Sequence, residues 1–434
     1  MKTYRPPLLL IIFAFAFASS ALAQSAQMSP TRRPSLFCPA RDADEVAVID
    51  TSSNQVLTQI PVGNYPIRIV MTPDRRKAFV SNMMSASVSV LDTVARTNIA
   101  TIPVNESPGE SAITPDSRRL FVVHQVHLVG DPTKSPVDVI DTATNLVITT
   151  VLIPGHGAKD ILFTPDGRFA YVANNSNGEV DAIDTTTYQV TSIPTAPGVR
   201  RLCISPAGDR VYVTNNKDDS VSAIDTATQQ LIATIPVGQR PMGIGITPNG
   251  EEVYATNQRD GTVSVIDTTT LSVVATIPTG NLPQRVVITR DGTKAFVQNG
   301  FSDTVSAINT ATHTVSATIP VGHHPWTTAL SPNNKKLFVC NGHDTTVSVI
   351  DVPSLTVSAT ITDVGDGPWD LGFGPSSTQS TPTPTPTSSP TATATATATA
   401  TPTATGSPTS TPRLTPTPRP HSTPRPRPTP VPRP

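Results

Sequence analysis

Residues 263–280 read Val263-Ser-Val-Ile-Asp267-Thr-Thr-Thr-Leu-Ser-Val-Val-Ala-Thr-Ile-Pro-Thr-Gly280, and nearly the same words recur from residue 46 to residue 375. Apolar and polar residues alternate on both sides of Asp267-Thr-Thr-Thr, the pattern of two half-buried strands joined by a turn. The Asp of this word returns at Asp50, Asp92, Asp141, Asp184, Asp225, Asn309 and Asp351, with successive spacings of 42, 49, 43, 41, 42, 42 and 42 residues. A fixed period of this length overrides the two or three domains that 434 residues would otherwise suggest, because stacked repeats build one large domain.

Each period divides into four short β-patterned pieces. In one of them the pieces are 221–224, 231–237, 242–246 and 253–257, with turn residues between them and no sustained helical period. Four antiparallel strands per repeat describe the blade of a β-propeller. A linear solenoid is the rival, but it needs polar caps, whereas this array ends in complementary fragments. Pro368-Trp-Asp-Leu-Gly-Phe-Gly-Pro375 is an innermost-strand word with nothing after it, and Leu36-Phe37-Cys38 is a second-strand word with no innermost strand before it. Joined, they make one blade and remove two open sheet edges. Innermost words begin at Pro66, Pro108, Ala158, Val199, Pro241, Pro283, Pro325 and Pro368. The expectation is an all-β chain with a single propeller of eight four-stranded blades, or seven if a terminal fragment stays outside the ring.

The words Val211-Tyr-Val-Thr-Asn215, Val253-Tyr-Ala-Thr-Asn257 and Tyr171-Val-Ala-Asn174 stand beside Ile-Asp-Thr, Ala-Thr-Ile-Pro-Val-Gly and Thr-Pro-Asp-Gly. In these words residues 36–375 resemble the YVTN family of β-propeller repeats. The resemblance implies a secreted or surface-exposed propeller, of a kind that generally has no assigned reaction.

The flanks have other characters. Residues 1–23 read as a secretory signal, with Lys2 and Arg5 before an apolar run at 8–18 and Ala21-Leu-Ala23 as the cleavage site. Its apolar run is short for a membrane span, and no later stretch approaches that length. Residues 24–35 read as a linker, and residues 376–434, rich in Thr, Pro and Ser, as a disordered stalk with too little apolar mass to repay ordering. Export is therefore expected, to the extracellular space, the cell surface or the periplasm, as a monomer without a transmembrane segment. The signal and the stalk are basic, so residues 24–375 hold 24 basic against 32 acidic residues, a net −8 that argues against nucleic acid as a partner. Three cysteines, Cys38, Cys203 and Cys340, are too few for a disulfide framework and read as buried thiols.

Repeated residues have structural readings. The Asp-Thr pairs and Thr164-Pro-Asp-Gly167 suit turns, and Asn174, Asn215, Asn257, Asn299 and Asn341 end second strands. Function is expected where the repeats differ. One residue per innermost strand should face the axis, giving Arg68, Glu110, Asp160, Arg201, Gly243, Arg285, Thr327 and Asp370. Three arginines and three acids could neutralise one another as a channel lining, or the arginines could hold a carboxylate or phosphate. Trp326 and Trp369 could form an apolar platform beside the mouth or pack between blades. His124, His127, His156, His323, His324 and His343 are placed in loops of the same face, where solvated histidines and weak zinc or copper ligands are alternatives.

These features favour a non-enzymatic scaffold that binds a protein, peptide or glycan through its loop-rich face, with no cofactor. The alternative is a metal-dependent enzyme in the manner of propeller lactonases or lyases, with Glu110, Asp160 and Asp370 as calcium ligands or histidines as zinc ligands. An electron-transfer subunit has less support, since the chain has no Cys-x-x-Cys-His.

Overall fold

The computed structural model of the chain describes residues 35–126, 128 and 130–374. The signal-like segment 1–23, the linker to residue 34, His127 and the stalk 376–434 lie outside the described residues. Ser35, assigned to the linker by its sequence, is the first residue of a strand.

Eight four-stranded antiparallel sheets form the ring, and the described residues contain no helix. Blade 1 shows the plan, with Pro66–Met71, Lys77–Asn82, Ser87–Asp92 and Thr97–Pro103 adjacent in that order from axis to rim. Blades 2 to 7 repeat it behind the innermost strands Pro108–Ile113, Ala158–Phe163, Val199–Ile204, Pro241–Ile246, Pro283–Ile288 and Pro325–Leu330. Blade 8 is composite. Gly372–Phe373 pairs with Ser35–Ala40 through Leu36↔Phe373 and Phe37↔Gly372, and Glu45–Asp50 and Gln55–Pro61 complete the sheet. Its innermost strand is only two residues long, extended by an isolated bridge between Ala40 and Pro368.

The core lies between blades. Second strands are buried on both faces, so successive residues pack against opposite neighbours. In Lys336–Asn341, for example, Leu337 and Val339 face blade 6, whereas Phe338 and Cys340 face blade 8. Each blade contributes one aromatic residue with no exposed surface: Phe37, Phe79, Phe121, Tyr171, Tyr212, Tyr254, Phe296 and Phe338.

The repeated polar residues hold turns and strand ends. Asp92 Oδ1 accepts the amides of Val94 and Ala95 at 2.7 and 2.8 Å, and Asp267 Oδ1 accepts those of Thr269 and Thr270 at 3.0 and 2.7 Å. Gly167 takes φ +71°, as the Thr-Pro-Asp-Gly turn requires. The Asn amides reach the third strand of their own blade, and that of Asn174 also reaches the Pro154 carbonyl of the preceding blade. Asn341 donates to Thr346 Oγ1 at 2.9 Å and to Ser348 Oγ at 3.0 Å on the third strand, and Asn82 bonds Ser87 and Ser89 in the same way. This explains the glycine of the Ile-Pro-Val-Gly word: a Cβ on Gly322 would lie 2.5 Å from the Asn341 amide nitrogen.

Blade 3 departs from this pairing, with Asp181 in the serine position. Asn174 donates to it at 3.0 Å and Ser192 at 2.6 Å, yet burial pushes its carboxyl up to about 6. A carboxyl raised on folding contributes stability below its unfolded pKa, near 4, that is lost as pH rises through about 6. Urea unfolding should show a decline on the order of 2–3 kcal/mol across that window from this residue, and Asp181→Ser, which restores the residue found in most blades, should flatten it.

Candidate functional site

Innermost strands are irregular where they carry their axis residue. Their pairing with the second strand shifts between Pro66 and Arg68, Pro108 and Ser111, Ala158 and Asp160, Val199 and Leu202, Pro241 and Ile244, Pro283 and Val286, and Pro325 and Thr327. A bulge re-aims side chains. Here it turns two successive residues of several strands toward the axis, in two layers.

The deeper layer is a closed charge network. Glu110 is its hub: its carboxylate lies 3.0 Å from Arg68 Nε, 2.5 Å from Arg201 Nη1 and 3.3 Å from Arg285 Nη2. Asp370 lies 3.2 Å from Arg68 Nη1 and accepts the Ile69 amide, and Asp160 lies 3.6 Å from Arg201 and accepts the Leu202 amide. All six charged residues read from the repeats therefore meet, three cations with three anions. Burial opposes ionisation of Glu110, but the guanidiniums of Arg201, Arg68 and Arg285 outweigh it and hold the carboxyl well below the usual range. Asp160 is held above its usual range, by burial first and then by Glu110, although Arg201 pulls the other way.

Two positions of this layer differ from the sequence expectation. At Gly243 a Cβ would lie 2.3 Å from the Gln284 carbonyl oxygen, so blades 5 and 6 approach too closely for a side chain. Thr327 is buried, and blade 7 presents Trp326 instead.

The outer layer surrounds a cavity of about 290 Å³ lined by Ile67, Lys159, Arg200, Trp326 and Trp369, each one residue before an axis position, together with Tyr65, Met83, Gln125 and the tops of Arg68, Glu110 and Arg201. Lys159 and Arg200 form no ion pair among the described residues. Lys159 Nζ is 3.5 Å from Gln125 Oε1, and Arg200 Nε is 3.2 Å from Met242 Sδ. Burial, then Arg200 and Arg201, lowers Lys159, and burial, then Arg201 and Arg240, brings Arg200 down to about 10. Both remain cationic near neutrality, two positive charges beyond the balanced layer.

Trp326 and Trp369 stack on each other with centroids 4.5 Å apart. Arg41 sits over Trp369 at 4.5 Å, and His324 stacks 5.9 Å from Trp326. The ladder ends in His343, 4.2 Å from His324, and in Phe301, which is 70% exposed. With their faces occupied, the indoles offer the cavity their edges rather than a stacking platform.

The described histidines stand in different surroundings, with His324 and His343 stacked on each other. His124 is not a loop residue: it ends Arg119–His124, fully buried in the position that other blades give to Asn. Its Nδ1 donates to the Glu106 carbonyl at 3.0 Å, and its Nε2 lies 3.1 Å from Asp138. His323 is exposed and bonded to Asp303 at 2.9 Å, and the His156 amide lies at Ser176 Oγ. Among the described residues no three His, Cys, Asp or Glu side chains are grouped as metal ligands. Each of Glu110, Asp160 and Asp370 already faces a guanidinium, an arrangement that does not suit a calcium ion.

Replacing Glu110 removes the shared counter-ion of three buried cations. Glu110→Gln should cost about 3–5 kcal/mol in urea unfolding. It should also abolish the share of acid sensitivity that a depressed carboxyl supplies, which in the parent chain appears as stability lost when pH falls below about 4.

Comparison with known proteins places this geometry among propellers. A family model described as "Lactonase, 7-bladed beta-propeller" matches residues 31–272, and one described as "YNCE-like beta-propeller" matches residues 293–381. No curated protein matches. Among solved structures, the hydrazine synthase of Kuenenia stuttgartiensis is 23% identical with a TM-score of 0.54, covering 66% of this chain and 95% of that one. Dihydro-heme d1 dehydrogenase NirN is 14% identical with a TM-score of 0.66, covering 78% and 74%. A functionally unknown protein from Desulfotomaculum acetoxidans is 18% identical with a TM-score of 0.54, covering 79% and 99%. At these identities the likeness is one of fold.

Proposed function

We propose a function for a chain that belongs to the lactonase, 7-bladed beta-propeller family but carries eight blades: its channel mouth binds the acidic group of a glycan, peptide or protein. One observation carries this reading. Lys159 and Arg200 stand in a cavity whose other charges are balanced, and an anion is the partner that such partly desolvated cations lack. The cavity, near the small end of ligand sites, suits one sugar acid or one carboxylate-bearing side chain. Arg68 and Arg201 reach it but are committed to Glu110, so they set its floor. The repeat words support a YVTN-type propeller, and residues 1–23 support export, so we infer a secreted or surface-displayed monomer. No helix among the described residues is long and apolar enough to cross a membrane.

Binding to uronate-containing glycans and acidic peptides, measured on arrays and by calorimetry, tests this. The expected result is capture that weakens with salt and falls about tenfold or more in Lys159→Ala and in Arg200→Ala. Capture unchanged in both variants, or no capture of any acidic ligand, would overturn it.

The family description favours a second reading, hydrolysis of a lactone at the same mouth. Asp160 is the carboxyl of the network that burial and Glu110 hold above its usual range, a perturbation of the kind that marks candidate acid–base groups. A panel of lactones should then be opened by the parent chain and not by Asp160→Asn. Equal rates for the two proteins, or none above the uncatalysed reaction, would exclude it.

A further inference from the structure

We propose that Cys38 and Cys340 form a disulfide when the chain folds under oxidising conditions, and that this bond clasps the seam where the ring closes. The two thiols are 302 residues apart in sequence, and their sulfurs lie 3.8 Å apart. Cys38 is on the N-terminal strand Ser35–Ala40 of blade 8, and Cys340 is on Lys336–Asn341 of blade 7. Both are fully buried in the apolar cluster between those blades, with Leu36, Ile49, Phe338 and Val347 around them. Bonding needs an approach of about 1.8 Å, to the S–S length near 2.05 Å, before the two strands reach their final packing.

The location gives the bond a purpose. Within blade 8 the N-terminal strands are held to the C-terminal segment by a two-residue strand, the Ala40–Pro368 bridge and a few amide bonds, among them Arg41 to Gly367 and Trp369 to Pro39. A link from Cys38 to Cys340 ties those strands to blade 7 directly, so fraying of the short strand no longer frees them. Cross-links that close long loops restrict the unfolded chain most.

The chemistry is thiol–disulfide exchange with a low-molecular-weight disulfide as oxidant. One cysteine thiolate attacks the oxidant and releases one thiol, and the second cysteine then attacks the mixed disulfide and releases the other. Two protein thiols become one disulfide while one oxidant disulfide becomes two thiols, which take up the two protons. Because both sulfurs are buried in the finished ring, the oxidant reacts with the first cysteine before closure, and the second attacks as blade 8 docks on blade 7. Burial holds the Cys340 thiol far above its ordinary pKa once the ring is formed, which slows any later reaction. Cys203, half-buried in blade 4, lies in a different cluster and is an internal control.

The test refolds the denatured, reduced full-length chain in a reduced and oxidised glutathione buffer, then alkylates free thiols under denaturing conditions and maps the peptides. The expected product is two hydrogens lighter than the reduced chain, alkylated only at Cys203, with a peptide cross-linked through Cys38 and Cys340. Its unfolding in urea should be about tenfold slower than that of the same chain refolded and kept in reductant, in the parent and in Cys203→Ala but not in Cys38→Ala. Three alkylated thiols, a cross-link through Cys203, or a parent that unfolds at the same rate after oxidising and after reducing refolding would overturn the proposal. Peptide mapping of the parent decides the matter even if Cys38→Ala does not fold.

Discussion

Eight sheets can all bury both faces only if the eighth packs against the first. Here that meeting depends on a sheet assembled from both ends of the chain. Every interface between neighbouring blades holds its own apolar cluster, including the two that flank the composite blade, where Phe37 packs toward blade 1 and Leu36 and Cys38 toward blade 7. Without Ser35–Ala40 and its partners, Ile69, Val80, Phe338 and Val349 would face water. Closure is thus the condition under which the second and third strands of blades 1 and 7 bury both faces.

Closure also creates the site. Bringing innermost strands around one axis crowds their side chains together, and the bulge in seven of them decides which ones arrive. Arg68, Glu110, Asp160, Arg201, Arg285 and Asp370 neutralise one another at the deeper level, with Glu110 shared by three guanidiniums. Above them Lys159 and Arg200 have no such partner, and the Trp326–Trp369 ladder walls one side. Neutral floor and cationic rim are products of adjacent residues on the same strands.

The fold was legible because blade geometry is local and repeated: the eight innermost words, the shared blade and the turn roles of Asp and Gly all follow from strand alternation and turn chemistry. The charged residues of the axis were legible for the same reason, as differences within one column of the repeat. The outer layer was missed where it depends on the bulge. A regular strand sends Lys159 and Arg200 away from the axis, and only an extra residue in the pairing brings them to it. Reading the column one residue earlier, Ile67, Gly109, Lys159, Arg200, Met242, Gln284, Trp326 and Trp369, would have exposed the signal. His124 misled for a different reason, since a histidine at a strand end resembles a loop residue until its buried partner Asp138 is seen.

Whether the channel mouth binds an anion through its outer layer is answered by a crystal structure of the full chain soaked with glucuronate. The expected density is a carboxylate held between Lys159 Nζ and the Arg200 guanidinium, beside the edges of Trp326 and Trp369, with the Glu110 network undisturbed. A mouth left empty at saturating glucuronate, or a carboxylate seated on Arg68, Arg201 and Arg285 in place of Glu110, would contradict it.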